Sequence, residues 1–497
     1  MGISLKGLGL LVLAAVAGSA QAGPLGAPFL VNGSSPNASR NLLDVTTGEG
    51  GDAGLLYLDN ALQGRYIRRY DSQGTGYVPA EGTMGPSGEA IAIDRVGNQI
   101  LVGLGSGSVG VYARVLNKAG VLVVPAFRVD TNLSGTQFLP TVAANGDGTF
   151  AVMWGTTFSS SSSAMQARLY NLNGTARSGM LTVATASHTM IGGAHAALDA
   201  AGNATVVWQQ RNFATPIGFS AWTRKYNSVG GSLLSAVRLD DVDGQALVPH
   251  VAVRPDGSAG VVVWSDLNGS SRVIKGQRLS ASGTKAGSNF VVSDTSGNTS
   301  QNDVAMMDDG SFAVVWDNHN TDVVPTSIPD VRIRQYTATG VAVAPEAIVS
   351  DGVLSNGARV GMDLAGNILV GYQRRNVAAA QWEIYARRYA MDTLPPITPI
   401  GNGVPVTGLS GAAGSWQYFK FNVPAGTPSL SLTMTGAGNA DFLLRFAALP
   451  TPSAFDISPG LPTSNESVLV GSPPAGDFYV AVWGASAYSG VSVTVSY

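Results

Sequence analysis

Apolar and polar residues alternate in short bursts along most of this chain, and the bursts come in sets. The set is clearest from Pro140 to Gly174. An apolar run at Thr141–Ala144 meets a tight Asn145-Gly146-Asp147-Gly148 turn, and a second run, Phe150–Trp154, alternates with the period of a half-buried strand. A polar stretch follows, then Ala167–Tyr170 closed by Asn173-Gly174, then Leu181–Val183. The pattern predicts a four-stranded antiparallel meander joined by glycine-containing turns. With Gly148 as the ruler, equivalents stand at nearly even intervals, at Gly97, Gly202, Gly257, Gly310 and Gly366. A weaker copy precedes them, with Leu55–Leu58 and Tyr66–Gly74 as its second and third runs, which makes seven copies.

Seven four-stranded units at this period predict an all-β chain whose main body is a seven-bladed β-propeller. Four units begin after an outer-strand phrase: Phe127-Arg128-Val129-Asp130, Val237-Arg238-Leu239-Asp240, Phe290-Val291-Val292-Ser293 and Ala347-Ile348-Val349-Ser350. The seventh stops at Arg388-Tyr389 without one, and a matching phrase, Phe29-Leu30-Val31-Asn32, stands alone near the start. The expectation is that this N-terminal strand completes the last blade, closing the ring and removing exposed sheet edges. Residues 23–393 then form the propeller. Residues 394–402, which begin Leu394-Pro395-Pro396, form a proline-rich linker, and residues 403–497 a small β-sandwich or jelly roll.

The segment Met1–Ala22 departs from the pattern. Lys6, an apolar core at Leu8–Ala17 and the small-residue ending Ala20-Gln21-Ala22 have the layout of a signal peptide, too short for a comfortable membrane span. Cleavage after Ala22 and an exported, extracellular or cell-surface product are expected. Composition adds that charged residues make up 12%, about half the usual share. With net charge −3 and no charged block, the reading expects neither nucleic acid nor an anionic membrane as partner. The chain has no cysteine, which excludes thiolate metal sites and a cysteine nucleophile.

The C-terminal text resembles a known family. Gly403-Val404-Pro405-Val406-Thr407-Gly408-Leu409-Ser410-Gly411, Trp416-Gln417-Tyr418-Phe419, Val423-Pro424-Ala425-Gly426, Asn439-Ala440-Asp441-Phe442, Asn465-Glu466-Ser467, Pro474–Val480 and Tyr488–Val491 look like the bacterial pre-peptidase C-terminal domain. The resemblance implies a non-catalytic β-sandwich appended to exported proteins, often removed after export, with calcium or insoluble substrates bound by some relatives. Ile457 and Val468 stand near the places where many members carry a cysteine pair, so that disulfide is absent. The propeller units are, more loosely, similar to repeats of secreted bacterial surface proteins.

Candidate chemistry is sparse. There is no G-x-S-x-G elbow and no H-E-x-x-H, and His188, His195, His250 and His319 have no motif context. The Asp-Gly pairs at Asp147, Asp256 and Asp309 read as hairpin chemistry, not as calcium loops. Trp154, Trp208, Trp264 and Trp316, with Tyr372, end equivalent strands and read either as packing between blades or as a stacking surface for sugars or peptide. An Arg recurs at Arg68, Arg114, Arg168, Arg224 and Arg334, with Arg387 in the seventh unit, and reads as architectural, its guanidinium stacking on a neighbouring Trp. From each strand-end aromatic to the next strand's Arg or Gln the chain runs far, as from Trp154 to Arg168 or Trp316 to Arg334, which predicts long loops at one end of the ring. Function concentrates in such loops. Arg211, Asp266, Asp317, His319, Asp322 and Arg374 lie there, breaking the repeat, and join the aromatics as candidate binding residues.

No catalytic residue and no cofactor are assigned, except that Asp441 and Glu466 are candidate calcium ligands. The leading expectation is a secreted, non-catalytic binding or surface-associated protein whose loop face takes an extracellular polysaccharide or protein. The alternatives are a secreted hydrolase or lyase acting on those polymers, and an accessory protein processed by a co-secreted protease.

Overall fold

The computed structural model describes residues 24–32, 39–62, 64–71, 74–76, 82–83, 89–105, 109–131, 134–186, 191–212, 218–241, 245–268, 271–293, 298–319, 328–391, 397–446, 449–450 and 455–497. The signal segment, His188 and Asp322 lie outside them. Among the described residues there is no helix. The chain divides into two compact units, one comprising Pro24–Gly340 with Glu346–Met391, the other including Asp392–Tyr497.

The larger unit is built of antiparallel four-stranded meanders. Five are separate sheets, and two more share an eight-stranded sheet in which a single bridge, Arg272 to Asn298, joins the halves. In chain order their first strands are Arg40–Thr47, Ala90–Ile93, Thr136–Ala144, Ile191–Leu198, Leu247–Val253, Asn298–Met306 and Ser355–Met362. We number the meanders 1 to 7 accordingly. Each first strand packs against the first strand of the next meander, and that of meander 7 packs against that of meander 1. The first strands are therefore innermost and follow one another in a closed cyclic order.

The N-terminal strand completes meander 7. Phe29 and Leu30 pair with Ala386 and Tyr385, and the Val31 N–H donates to the Ile384 carbonyl at 2.8 Å. The outer-strand phrase has a physical job that its sequence shows in retrospect. The side chain of its last residue accepts a backbone N–H from the third strand: Asp130 from Val111, Asp240 from Ala221, Ser293 from Ile274, Ser350 from Val331, and Asn32 from Ile384. Asp, Ser and Asn are interchangeable there because each offers a short oxygen acceptor.

Four of the recurring arginines tie their meander to the one before it. Nη1 of Arg168, Arg224, Arg334 and Arg387 donates to the carbonyls of Val129, Val183, Val292 and Val349, in the outer-strand segment of the preceding meander. The guanidinium stacks, but on the tyrosine two residues on and not on a tryptophan: Arg168 on Tyr170, Arg224 on Tyr226 and Arg334 on Tyr336, at 5.2 to 5.8 Å. Residues i and i+2 share a face of a strand, so the tyrosine is the nearer ring. The turn carboxylates serve the hairpins: Asp256 and Asp309 accept the backbone N–H groups of Ser258 and Ser311.

Among the described residues, much of the spacing read as long loops is strand. Second strands run on past the aromatic, as in Phe150–Ser159, Ala204–Asn212, Ala259–Asn268, Phe312–His319 and Asn367–Asn376. In meander 3 the third strand resumes at Ser162, so Ser159 to Ser162 is a tight turn. Serine-rich stretches lack the alternation that marks a strand, but antiparallel pairing with a committed neighbour supplies every backbone partner and overrides weak propensity.

In the smaller unit a six-stranded sheet runs in the order Ile397–Pro399, Trp416–Val423, Gly476–Ser496, Ser429–Phe446, Glu466–Gly471, with Val406–Gly411 also paired to Gly476–Ser496. Two of its strands, Ser429–Phe446 and Gly476–Ser496, are long and pair along most of their length. Register shifts at Thr435/Ala437 and Gly438/Ala440 bend the pair, and Gly438 sits at φ 87°, where a Cβ would strike the Ala487 carbonyl. The bend lets Phe421, Val480 and Val482 meet Leu432, Met434 and Val493 in one core.

Candidate functional site

The tryptophans are packing residues. Trp154, Trp208, Trp264, Trp316 and Tyr372 are at most 1% exposed, so none offers a face for stacking. The Trp154 indole N–H donates to Gln166, and Trp208 stacks on Trp222 with Nε1 donating to Gln210.

The symmetry-breaking residues among those described lie on paired strands. Arg211 stands opposite Phe219, and Arg374 lies over the Tyr385 ring at 4.8 Å. Asp266 is buried and bonded to Lys275 Nζ at 2.7 Å. His319 ends its strand opposite Asn298. Asp317 is buried, and its oxygens accept the N–H groups of Gly357 and Ala358, at 2.8 and 2.9 Å, on the first strand of the next meander. Burial pushes its carboxyl above the usual range, with those N–H bonds, His319 and Arg359 opposing. Its neighbours in register do the same kind of work: Gln209 accepts from Val248 N–H, Gln373 accepts from Leu42 N–H, and Ser265 donates to the Thr299 carbonyl. Asp317 is thus one version of a repeated clamp between meanders.

The position that gathers chemistry is one for which the sequence reading assigned no site. Directly across from the residue preceding each strand-end aromatic, or its equivalent Gly103, the first strands place Asp44, Ala90, Thr141, His195, His250, Asp303 and Arg359. Because first strands are innermost and cyclic, these seven form a belt. Several are linked to a neighbour's strand. Asp44 Oδ2 accepts from Ile91 N–H at 3.0 Å, Thr141 Oγ1 donates to the Ala194 carbonyl, and Asp303 Oδ2 accepts from Val360 N–H at 3.0 Å. The His195 and His250 rings stack with centroids 3.5 Å apart, and His250 Nδ1 donates to Asp303 Oδ1 at 2.8 Å. That bond sets the tautomer and leaves His250 Nε2 an acceptor, buried and without a partner among the described residues. Arg359 gives Nη1 to Gln301 Oε1 and to the Ala358 carbonyl.

A local device aims these side chains. In meanders 1, 3, 4, 5 and 7 a register shift falls immediately before the belt residue, and in meander 6 it falls one residue earlier. Leu139, Gly193, Val248 and Gly357, two residues upstream of the belt, have φ of 46° to 73°. A bulge re-aims the following side chain, and Leu139 and Val248 accept a conformation that L-residues avoid. Asp44, His195, Asp303 and Arg359 lie deep in the unit yet remain half-buried, as expected of groups lining an internal space. Burial pushes Asp44 up to about 7, against the Ile91 N–H and Arg359. Burial, His250 and Arg359 hold His195 well below the usual histidine range, and burial lowers His250 too. For Asp303 burial acts upward, but His250, Arg359 and the Val360 N–H outweigh it and keep the carboxyl low. The signal available in sequence was the register: counted from the strand-end aromatic, these residues are equivalent yet chemically unlike.

In the smaller unit Asp441 and Glu466 do come together. Glu466 accepts from Phe442 and Leu461 N–H groups, at 2.9 and 2.8 Å, and hydrogen-bonds Asp441. Burial first, then Asp441, pushes Glu466 up to about 7. Asp441 Oδ1 and Asn439 Oδ1 are buried oxygens without a partner among the described residues.

The bacterial pre-peptidase C-terminal domain family matches this chain over residues 417–484. The smaller unit carries a bacterial pre-peptidase C-terminal domain. Relatives of this chain include alkaline serine exoprotease A of Vibrio alginolyticus, 39% identical over 105 residues, 21% of this chain and 20% of that protein. The virulence metalloprotease of Vibrio anguillarum is 27% identical over 25% of this chain and 20% of its own length. The chain thus spans about a fifth of the length of these relatives. Among solved structures, polysaccharide lyase Uly1 is similar with TM-score 0.45 and 10% identity over 71% of this chain and 90% of that one. An α-L-arabinanase of Penicillium chrysogenum gives TM-score 0.42 and 10% identity, over 61% of this chain and 92% of its own. At these values nothing of either activity transfers. Among the described residues no helix is long and apolar enough to cross a membrane.

Proposed function

We propose that this chain is an exported binding protein. The seven meanders act as the blades of a closed β-propeller, the belt residues line its central well, and the well takes part of an extracellular polysaccharide or protein without turning it over. The pre-peptidase C-terminal domain assists export or attachment, and a co-exported protease that removes it is a candidate partner. The belt carries this reading. Positions with an architectural job repeat from meander to meander, as the arginine clamp does, whereas the belt holds Asp, Ala, Thr, His, His, Asp and Arg at one register. Its carboxylates have both oxygens engaged, Asp44 by Val45 and Ile91 N–H groups and Asp303 by His250, Val304 and Val360. Such groups hold a field and a shape. In the smaller unit, Asn439, Asp441 and Glu466 would hold a calcium ion, which would neutralise the carboxyl pair and brace the bend of the long strands.

A second reading, a hydrolase or lyase, is favoured by one observation: Asp303 orients His250 as an orienting carboxylate does a general base. The test is incubation of the purified chain with a panel of polysaccharides and matrix proteins, scored for retained protein and for released fragments. Retention without fragments is expected. Fragments that disappear in His250→Gln would overturn the binding reading in favour of the enzyme.

A further inference from the structure

Across the belt the carboxylates are satisfied, whereas part of the Arg359 fork and the His250 Nε2 acceptor are not. All four oxygens of Asp44 and Asp303 receive N–H bonds. Arg359 uses Nη1 alone, on a neutral amide and a backbone carbonyl, and its Nε and Nη2 have no partner among the described residues. No carboxylate stands within ion-pair distance of it there, although Asp44, Asp303 and Asp317 lie within its electrostatic reach. A half-buried guanidinium with two free donor positions in a fixed plane matches a carboxylate presented edge-on. Beside it, His250 Nε2 is a second unsatisfied group, on a side chain 3% exposed.

The rest of the lining selects how that carboxylate is presented. In meanders 3 to 7 the first-strand residues before the belt carry no charge, as in Thr136–Leu139, Asn298–Asn302 and Ser355–Ala358. Ser300, Gln301 and Asn356 are half-buried there. Hydroxyls and amides offer donors and acceptors together, which suits the hydroxyls of a sugar ring, whereas an acidic peptide would call for further cations.

We propose that the belt is a binding site for the carboxylate of an acidic sugar, with Arg359 as its anchor and the amide-rich strand ends reading the hydroxyls around it. This deepens the binding reading above and rests on it. The charged and titratable groups facing Arg359 are Asp44, Asp303, Asp317, His195 and His250. A bound anion is repelled by ionised Asp44, so binding is coupled to proton uptake there and tightens as the pH falls through 7, by at most about tenfold per pH unit.

The test is calorimetric titration of the full chain with a galacturonate hexasaccharide, a glucose hexasaccharide and hexaglutamate, at pH 6 and pH 8. The galacturonate probe is expected to bind, more tightly at pH 6, and the glucose probe to bind at least about tenfold more weakly. Arg359→Gln should lose about tenfold or more, and Arg359→Lys, which keeps the charge but not the fork, should fall between. Asp44→Asn, which keeps an oxygen for the Ile91 N–H, should tighten binding at pH 8 and flatten the pH dependence. Equal binding of both hexasaccharides, an unchanged affinity in Arg359→Gln, or binding of hexaglutamate alone would overturn the proposal. Retention of the chain on a neutral polymer with no response to galacturonate would sink it while leaving the binding reading intact. Retention on nothing in the panel would sink both.

Discussion

The outer edges of the meanders and their innermost strands are built from the same repeat and used in opposite ways. At the edges, four arginines reach the same kind of carbonyl on the preceding meander, and five short acceptors cap the third strand in one way. At the centre a single register holds residues of every polarity, from Ala90 to Arg359. Repetition marks a position whose surroundings are the same in each unit, so one side chain solves one packing problem many times. Variation at a position that all units bring to a common axis marks surroundings shared by all, where seven side chains together make one site.

The contrast is easiest to break at the buried aromatics. If they belong to the packing, Trp316→Ala costs about 3–5 kcal/mol in denaturant unfolding. A stable Trp316→Ala protein that had lost retention on polymers would return the aromatics to the binding surface. The C-terminal carboxyl pair gives the next largest effect, and its sign follows from the raised Glu466. Folded Glu466 holds its proton to about 7 while the unfolded side chain releases it near 4.5, so the stabilisation is complete below 4.5 and is lost as the pH rises to 7. The loss is up to about 3 kcal/mol, read as faster hydrogen exchange along Ser429–Phe446, and Glu466→Gln should remove most of the slope. Added calcium at pH 7.5 should slow that exchange in the wild type and do nothing in Asp441→Asn. Asp317→Ala, which strands two backbone N–H groups, should cost about 1–3 kcal/mol with retention unchanged. The smallest effect is expected at the clamps: Arg334→Ala loses one carbonyl bond and one ring contact, about 1–2 kcal/mol in the same unfolding measurement.

Much of this was legible in the residues. The turn glycines counted the units, the orphan phrase Phe29–Asn32 marked the strand that pairs with Gln381–Ala390, and the text from Gly403 onward marked the C-terminal domain. Those signals are local: a tight turn needs its glycine, and an alternating run needs only its own period. The candidate site was not legible in the same way. Asp317 and Asp266 break the repeat, yet Asp317 is held by two backbone N–H groups of the next meander and Asp266 pairs through Oδ2 with Lys275 on the adjoining strand. His195 and His250 had no motif around them, because each finds its context a whole repeat away along the chain, on the adjacent first strand.

The sequence alone determined that the chain is β throughout its repeats and that a pre-peptidase C-terminal domain stands toward its C-terminal end, because strand period, turn chemistry and family text are all written within a few residues. Only the tertiary structure decided that Asp44, His195, His250, Asp303 and Arg359 share one belt and that the tryptophans are buried in the packing. Which face of a strand points to the axis depends on pairing register and on bulges. Those are settled by contacts between units, where a single-residue slip would turn every side chain to the other face.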